Sequence, residues 1–170
     1  VYGVLPEKKT TSLTLNKTSD KILCDGASHE IHLIAKLSED DCTDVVKFTS
    51  SNEKVATVNG NGVVKTIAGA HGTAVITATA GNYSASYKVT VKGSGIHATG
   101  LNGSDLGSFK WDDEYGKNQL DLSDVHIYCN DCNKGLEKGT DYTVSYENTD
   151  KPGKAKVTFT GINGYAGYSL

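Results

Sequence analysis

The sequence predicts an all-β protein: a β-sandwich followed by a second, smaller β-domain. Three observations predict it. The composition favours strands and turns, with Thr, Ser, Val and Tyr abundant, 19 Gly and 2 Pro in 170 residues. Short apolar alternations recur at roughly ten-residue intervals, the spacing of a sandwich. No segment longer than a turn keeps a helical period.

Residues 1–10, "VYGVLPEKKT", read as an entry segment, because Pro6 and the charges after it argue against a core strand. "SLTLN" alternates, with Leu13 and Leu15 on one face. "KILCDGAS" is a short strand ending in an Asp25-Gly26 turn. "HEIHLIAKL" places Ile31, Leu33, Ala35 and Leu37 at period two and reads as one half-buried strand. "SEDDCTDV" is an acidic loop. "VKFTSS" puts Val46, Phe48 and Ser50 on one side. "VATVN" and "GVVKTI" form a hairpin, in which Gly60 and Gly62 are expected at positive φ. "TAVITATAG" and "SYKVTVK" form a second hairpin.

The first block, 11–92, ends at Lys92. Five Gly in the fifteen residues 93–107 predict a flexible linker. Residues 108–170 then show strands again, in "SFKW", "QLDLSDVHIYC", "DYTVSYE" and "KAKVTFTG".

Composition also bounds function. A net charge of -3 without a basic run gives nucleic acid nothing to bind. No apolar run approaches the ~20 residues of a membrane helix. The chain opens at Val1 without Met or secretion signal, which reads as a processed chain or a piece of a longer one. The missing signal therefore says nothing against export.

The first block resembles the bacterial immunoglobulin-like group 2 domains. The residues that carry the likeness run in order: "TSLTLNKTS", "DGASHEIHLIAKL", then "FTSSNEKVATVNGNGVVKTIAGAHGTAVITATAG", and finally "YSASYKVTV". One departure is Phe48, where the family usually has Trp; either ring fills a core. The second block, through "KGLEKGTDYTVSYENTDKPGKAKVTFTGINGYAG", resembles a small β-module found beside such domains in clostridial-type surface proteins. Those modules continue with another strand after the Gly164-Tyr165 step, so this block is expected to be truncated and to leave an open sheet edge. Strand donation from another copy and local capping are the alternatives.

The resemblance implies a non-enzymatic extracellular module, a stalk or adhesion segment of a bacterial surface protein. Its implied partners are neighbouring domains of a longer chain and a cell-surface glycan or protein. A decoration domain of a phage virion, in tail or capsid, is the alternative. An accessory domain of a secreted glycan-active enzyme is the second. The fold alone names no ligand.

Local motifs are few. Cys129-Asn-Asp-Cys132 admits a redox centre, half of a zinc site, a disulfide across a turn, or free thiols. A redox pair usually sits at a helix N-terminus, which is missing here. Zinc needs two more ligands, and Cys24 and Cys42 lie in the other block, while His97 and His126 have no recognised spacing. The disulfide is the favoured expectation, worth roughly 2 kcal/mol for so small a loop. Cys24 and Cys42 flank a strand of about 25 Å, too long to bridge.

The carboxylates of "SEDDCTD" (Glu39, Asp40, Asp41, Asp44) and of "WDDEYG" offer Ca²⁺ oxygens but not the spacing of an EF-hand loop. The five His read as surface or satisfied groups. Trp111, Tyr115, Tyr165 and Tyr168 are the candidate contact residues, whereas Tyr142 and Tyr146 share a face with Val144 and read as core. No catalytic residue, metal or cofactor is expected.

Overall fold

The computed structural model of the chain describes residues 7–100, 111–112, 117–118, 122–149 and 151–170, without the side chains of 111–112 and 117–118. It divides into unit 1, Val1–Lys92, and unit 2, Gly93–Leu170.

Unit 1 holds β1 (Leu13–Leu15), β2 (Ser19–Leu23), β3 (Glu30–His32), β4 (Ala35–Leu37), β5 (Lys47–Ser50), β6 (Ala56–Val58), β7 (Val63–Thr66), β8 (Gly72–Ala80) and β9 (Tyr83–Lys92). One sheet runs β2-β9-β8-β5; a second runs β3-β7-β6, and β1 and β4 form a separate two-stranded pair. Among the described strands of unit 1, only β2 and β9 pair in parallel. Period-two alternation sends Ala74, Ile76, Ala78 and Ala80 of β8 inward with Tyr87, Val89 and Val91 of β9. Ile31, Val55, Ala56 and Val64 come from the other sheet and its loops. The result is the expected sandwich, all-β with a shared apolar interior.

"HEIHLIAKL" is not one strand. It changes partner midway: β3 pairs with β7, and β4 with β1. Leu33 and Ile34 lie between, and the Asn16 side chain takes the place of a ladder there. Its Oδ1 accepts from the Ile34 N–H at 2.8 Å, and its Nδ2 donates to the His32 carbonyl at 3.3 Å. The period-two burial survives the break, with Ile31 and Leu33 buried and Ala35 and Leu37 half-buried.

The β6–β7 hairpin turns through Asn59–Gly62. Asn59 Oδ1 accepts from the N–H groups of Asn61 and Val63, both at 3.0 Å. Only Gly62 has positive φ, at 77°; Gly60 does not, contrary to expectation. A Cβ on Gly62 would meet the Leu33 carbonyl oxygen at 2.5 Å. "SSN" is likewise spent on backbone: Ser50 Oγ donates to the Ala56 carbonyl at 2.6 Å, and Ser51 Oγ accepts from the Val75 N–H at 2.9 Å.

The entry segment is partly structural. Thr10 is buried, and its N–H donates to Asp44 Oδ2 at 2.6 Å. Lys8 pairs with Glu39 and with Asp41. The first unit therefore takes in residues before Thr11.

Unit 2 holds β10 (Ile96–Thr99), β11 (Trp111–Asp112), β12 (Lys117–Asn118), β13 (His126–Cys129), β14 (Tyr142–Glu147) and β15 (Lys156–Gly161), then a 3-10 turn at Asn163–Tyr165. Part of the expected linker is a strand: β10 pairs antiparallel with β13. The rest of the linker reading lies outside the described residues. Ile96, Ile127, Cys129, Leu136, Phe159 and Tyr165 form the buried core. The outer edge of β15 is paired locally, the capping alternative to an open edge. Phe159 and Leu170 exchange both backbone hydrogen bonds at 2.9 Å, and the Gly161 N–H donates to the Tyr168 carbonyl at 2.8 Å.

Candidate functional site

Chemistry-bearing side chains gather at one place in unit 2, the Cys129–Cys132 hairpin. β13 leads into it, and Lys134–Leu136 returns: the Cys129 N–H donates to the Lys134 carbonyl at 2.9 Å and the Leu136 N–H to the Ile127 carbonyl at 2.8 Å. The chain turns because Asn133 takes a left-handed φ of 52°, a conformation Asn tolerates, and its N–H closes on the Cys129 carbonyl at 3.0 Å. That leaves the N–H groups of Asp131 and Cys132 facing the Cys129 sulfur.

Cys129 is fully buried and Cys132 half-buried. Their sulfurs lie within 4.8 Å of each other, without a bond between them. Burial pushes the Cys129 thiol pKa up, but donors outweigh it. They are the Cys132 N–H, the Tyr165 hydroxyl, the Asp131 N–H and the Cys132 thiol, and the net direction is down. Burial and the neighbouring sulfur in turn hold the Tyr165 hydroxyl protonated, well above its ordinary range.

The strand before the hairpin closes over it. Asp131 accepts from both the N–H and the hydroxyl of Ser94, and the Asn130 N–H donates to the Gly95 carbonyl at 3.1 Å. Gly93 must be glycine: a Cβ there would stand 2.8 Å from the Tyr165 ring and 3.0 Å from Cys129 Sγ. His97 Nδ1 bonds to Asn130 Oδ1 at 3.0 Å, and its ring stacks on Tyr128.

The other candidates are placed as follows. Tyr165 is not a contact residue; it is fully buried, because the 3-10 turn folds its ring onto Cys129 and Phe159. Tyr168 is half-buried against the same core. Tyr146, expected inside, is 46% exposed, while Tyr142 packs on Phe159. The side chain of Trp111 and all of Tyr115 and most of "WDDEYG" lie outside the described residues. In the acidic loop, Glu39, Asp41 and Asp44 are engaged by Lys8, Lys9 and Thr10.

In unit 1, Cys24 is buried at the end of β2, with its N–H on the Lys92 carbonyl at 3.0 Å. Its sulfur lies within 4.8 Å of a ring nitrogen of His71. Sequence reasoning missed this pair, since 47 residues separate them and no local spacing signals it. Cys24 and Cys42 share no bond in the structure.

Residues 9–91 match the model of the bacterial Ig-like domain (group 2). No curated protein gives a significant match. Among solved structures, the chain is similar to domains 4 and 5 of the S-layer protein SbsC, at 22% identity over 46% of this chain and 50% of that one, with a TM-score of 0.36. Domains 5-6 of the same protein match at 16% identity over 88% and 83%, with a TM-score of 0.35. Domains 4-9 match at 17% over 95% of this chain and 30% of that one, with a TM-score of 0.38. The chain thus spans half the length of the first of these structures. With its sandwich topology and the family match together, the segment 9–91 is a bacterial Ig-like domain of group 2.

Proposed function

We propose that the chain is a non-enzymatic extracellular module, a spacer or adhesion segment within a larger bacterial surface protein. The observation that carries this reading is the parallel pairing of β2 with β9. β2 lies near the start of unit 1, and β9 ends it at Lys92. Pulling the two ends apart slides these strands along each other. The hydrogen bonds of all five registered pairs, Ser19↔Lys88 to Leu23↔Lys92, then carry load together instead of opening one by one. Such a unit suits a segment held under tension. β1 lies outside this clamp.

The use made of polar side chains supports the same reading. Ser50, Ser51, Asn16, Asn59, Asp44 and Thr66 hold backbone groups in place. Asp20 accepts from the Tyr87 hydroxyl at 2.9 Å. Groups of catalytic type are thus engaged in the fold of unit 1. Neighbouring domains of a longer chain are the first partners, and a cell-surface glycan or protein is the ligand class for an adhesive role. Among the described residues, no helix is long and apolar enough to cross a membrane.

Immunogold labelling with antibody against the purified chain tests the reading. Gold on intact cells is the expected result. Gold only after permeabilisation overturns it, and gold confined to phage particles replaces it with the virion alternative.

A further inference from the structure

We propose that Cys129 and Cys132 are paired thiolate ligands of one tetrahedral zinc ion, completed by two further nitrogen or sulfur donors of the chain. Zinc takes sulfur readily, and two cysteines separated by two residues are a usual half of a structural site. Spacing alone is weak, and the hairpin adds three features. Both sulfurs lie within 4.8 Å of each other. The N–H groups of Asp131 and Cys132 face Cys129 Sγ, which supplies to a thiolate the hydrogen bonds that orient a metal ligand from behind. The buried Tyr165 hydroxyl adds a third donor to the same sulfur.

This arrangement serves an anion at Cys129. A neutral thiol is a weak acceptor and needs no such set of donors. A disulfide sulfur needs it still less. The Cys129 thiol donates to Asp131 Oδ2 at 3.9 Å, a long contact, and both carboxylate oxygens also accept from Ser94. A cation between the sulfurs would take the place of that thiol proton. Binding releases the thiol protons: Zn²⁺ takes two thiolates, and two H⁺ leave to solvent.

Two ligands remain, to be supplied by further cysteine or histidine side chains of the chain.

The chain is purified with reductant, loaded with Zn²⁺ alone and passed through a chelating resin. One zinc per chain is expected, with loss in C129S and in C132S. Co²⁺ in its place gives a sulfur-to-cobalt charge-transfer band in the near ultraviolet and the intense visible bands of a tetrahedral site. That spectrum on the unaltered chain needs no variant to fold. Y165F removes only one donor and is expected to weaken zinc by about 10–100-fold, as loss of such a supporting bond does. The remaining cysteines and histidines are substituted one at a time in the same assay, and two of these variants are expected to lower the stoichiometry. Three results overturn the proposal: no zinc after loading, zinc retained by both C129S and C132S, or a Cys129–Cys132 disulfide in the intact mass of chain purified without reductant but with zinc. Stoichiometric zinc that survives every one of these further substitutions overturns the closed tetrahedron.

Discussion

Replacing Gly62 by Ala tests how the β6–β7 turn meets the break in "HEIHLIAKL". Gly62 sits at φ 77°, and its carbonyl accepts from the Leu33 N–H at 2.9 Å. An L-residue there costs about 1–2 kcal/mol for its left-handed backbone. The new methyl would also stand 2.5 Å from the Leu33 oxygen and 3.0 Å from the Phe48 ring tip. Phe48 can tilt, but the oxygen is backbone, so the two chains must separate. That forfeits the Leu33–Gly62 hydrogen bond, about 1 kcal/mol more. The sum is about 2–3 kcal/mol. With a urea slope of about 1–2 kcal/mol/M for so small a unit, the midpoint should fall by about 1–3 M. Far-UV circular dichroism follows both units, whereas Trp111, the one Trp of the chain, lies in unit 2. The transition that moves should therefore be the one silent in Trp fluorescence. Gly60→Ala is the control, because no atom lies within 4 Å of its added Cβ. Its midpoint should hold or rise slightly. Equal losses at Gly60 and Gly62 would refute the reasoning.

Other perturbations have definite signs. Ile76→Ala empties a fully buried position of β8 and should cost about 2–5 kcal/mol in the same urea assay. Asn16→Ala removes the side chain that bridges Ile34 and His32, and should cost about 1 kcal/mol; amide exchange at Ile34 should rise first. The Tyr87 hydroxyl, helped by Lys17 and opposed by burial, lowers the pKa of Asp20. A carboxylate lowered in the folded state contributes stability above its unfolded value, about 4, and loses it as pH falls through the folded one. Tyr87→Phe should therefore flatten the loss of stability below about pH 4. An unchanged acid limb in thermal melts would mean that the bond contributes nothing.

Much of unit 1 was legible because its strands alternate on one exposed and one buried face. Ile31, Leu33, Val46 and Phe48 fall on the side their period assigns. The strand break at Leu33–Ile34 was not legible, since alternation continues through it and only the partner changes. Gly60 and Gly62 look alike in sequence; which one turns left-handed depends on Leu33, far away in the chain. Tyr165 and Tyr146 were misassigned for a related reason. An aromatic residue beside a loop reads as exposed until a turn folds it back, and one in a strand reads as buried until its face proves to be outer. The cysteine hairpin was visible as a spacing. The donors around its sulfur, Tyr165 above all, come from distant positions.

Stretching a single chain between two handles tests the proposed load-bearing role most directly. Two separate unfolding steps are expected, one for each unit. At about 3.4 Å per extended residue, Val1–Lys92 releases about 300 Å and Gly93–Leu170 about 260 Å, before the folded spans are subtracted. The longer release belongs to the unit whose β2 and β9 share the load, and Lys88→Pro, which removes the β9 N–H that donates to the Thr18 carbonyl at 2.9 Å at the start of β2, should lower the force of that step. A single step releasing the whole length, or a longer release at a force too small to detect, would contradict the account.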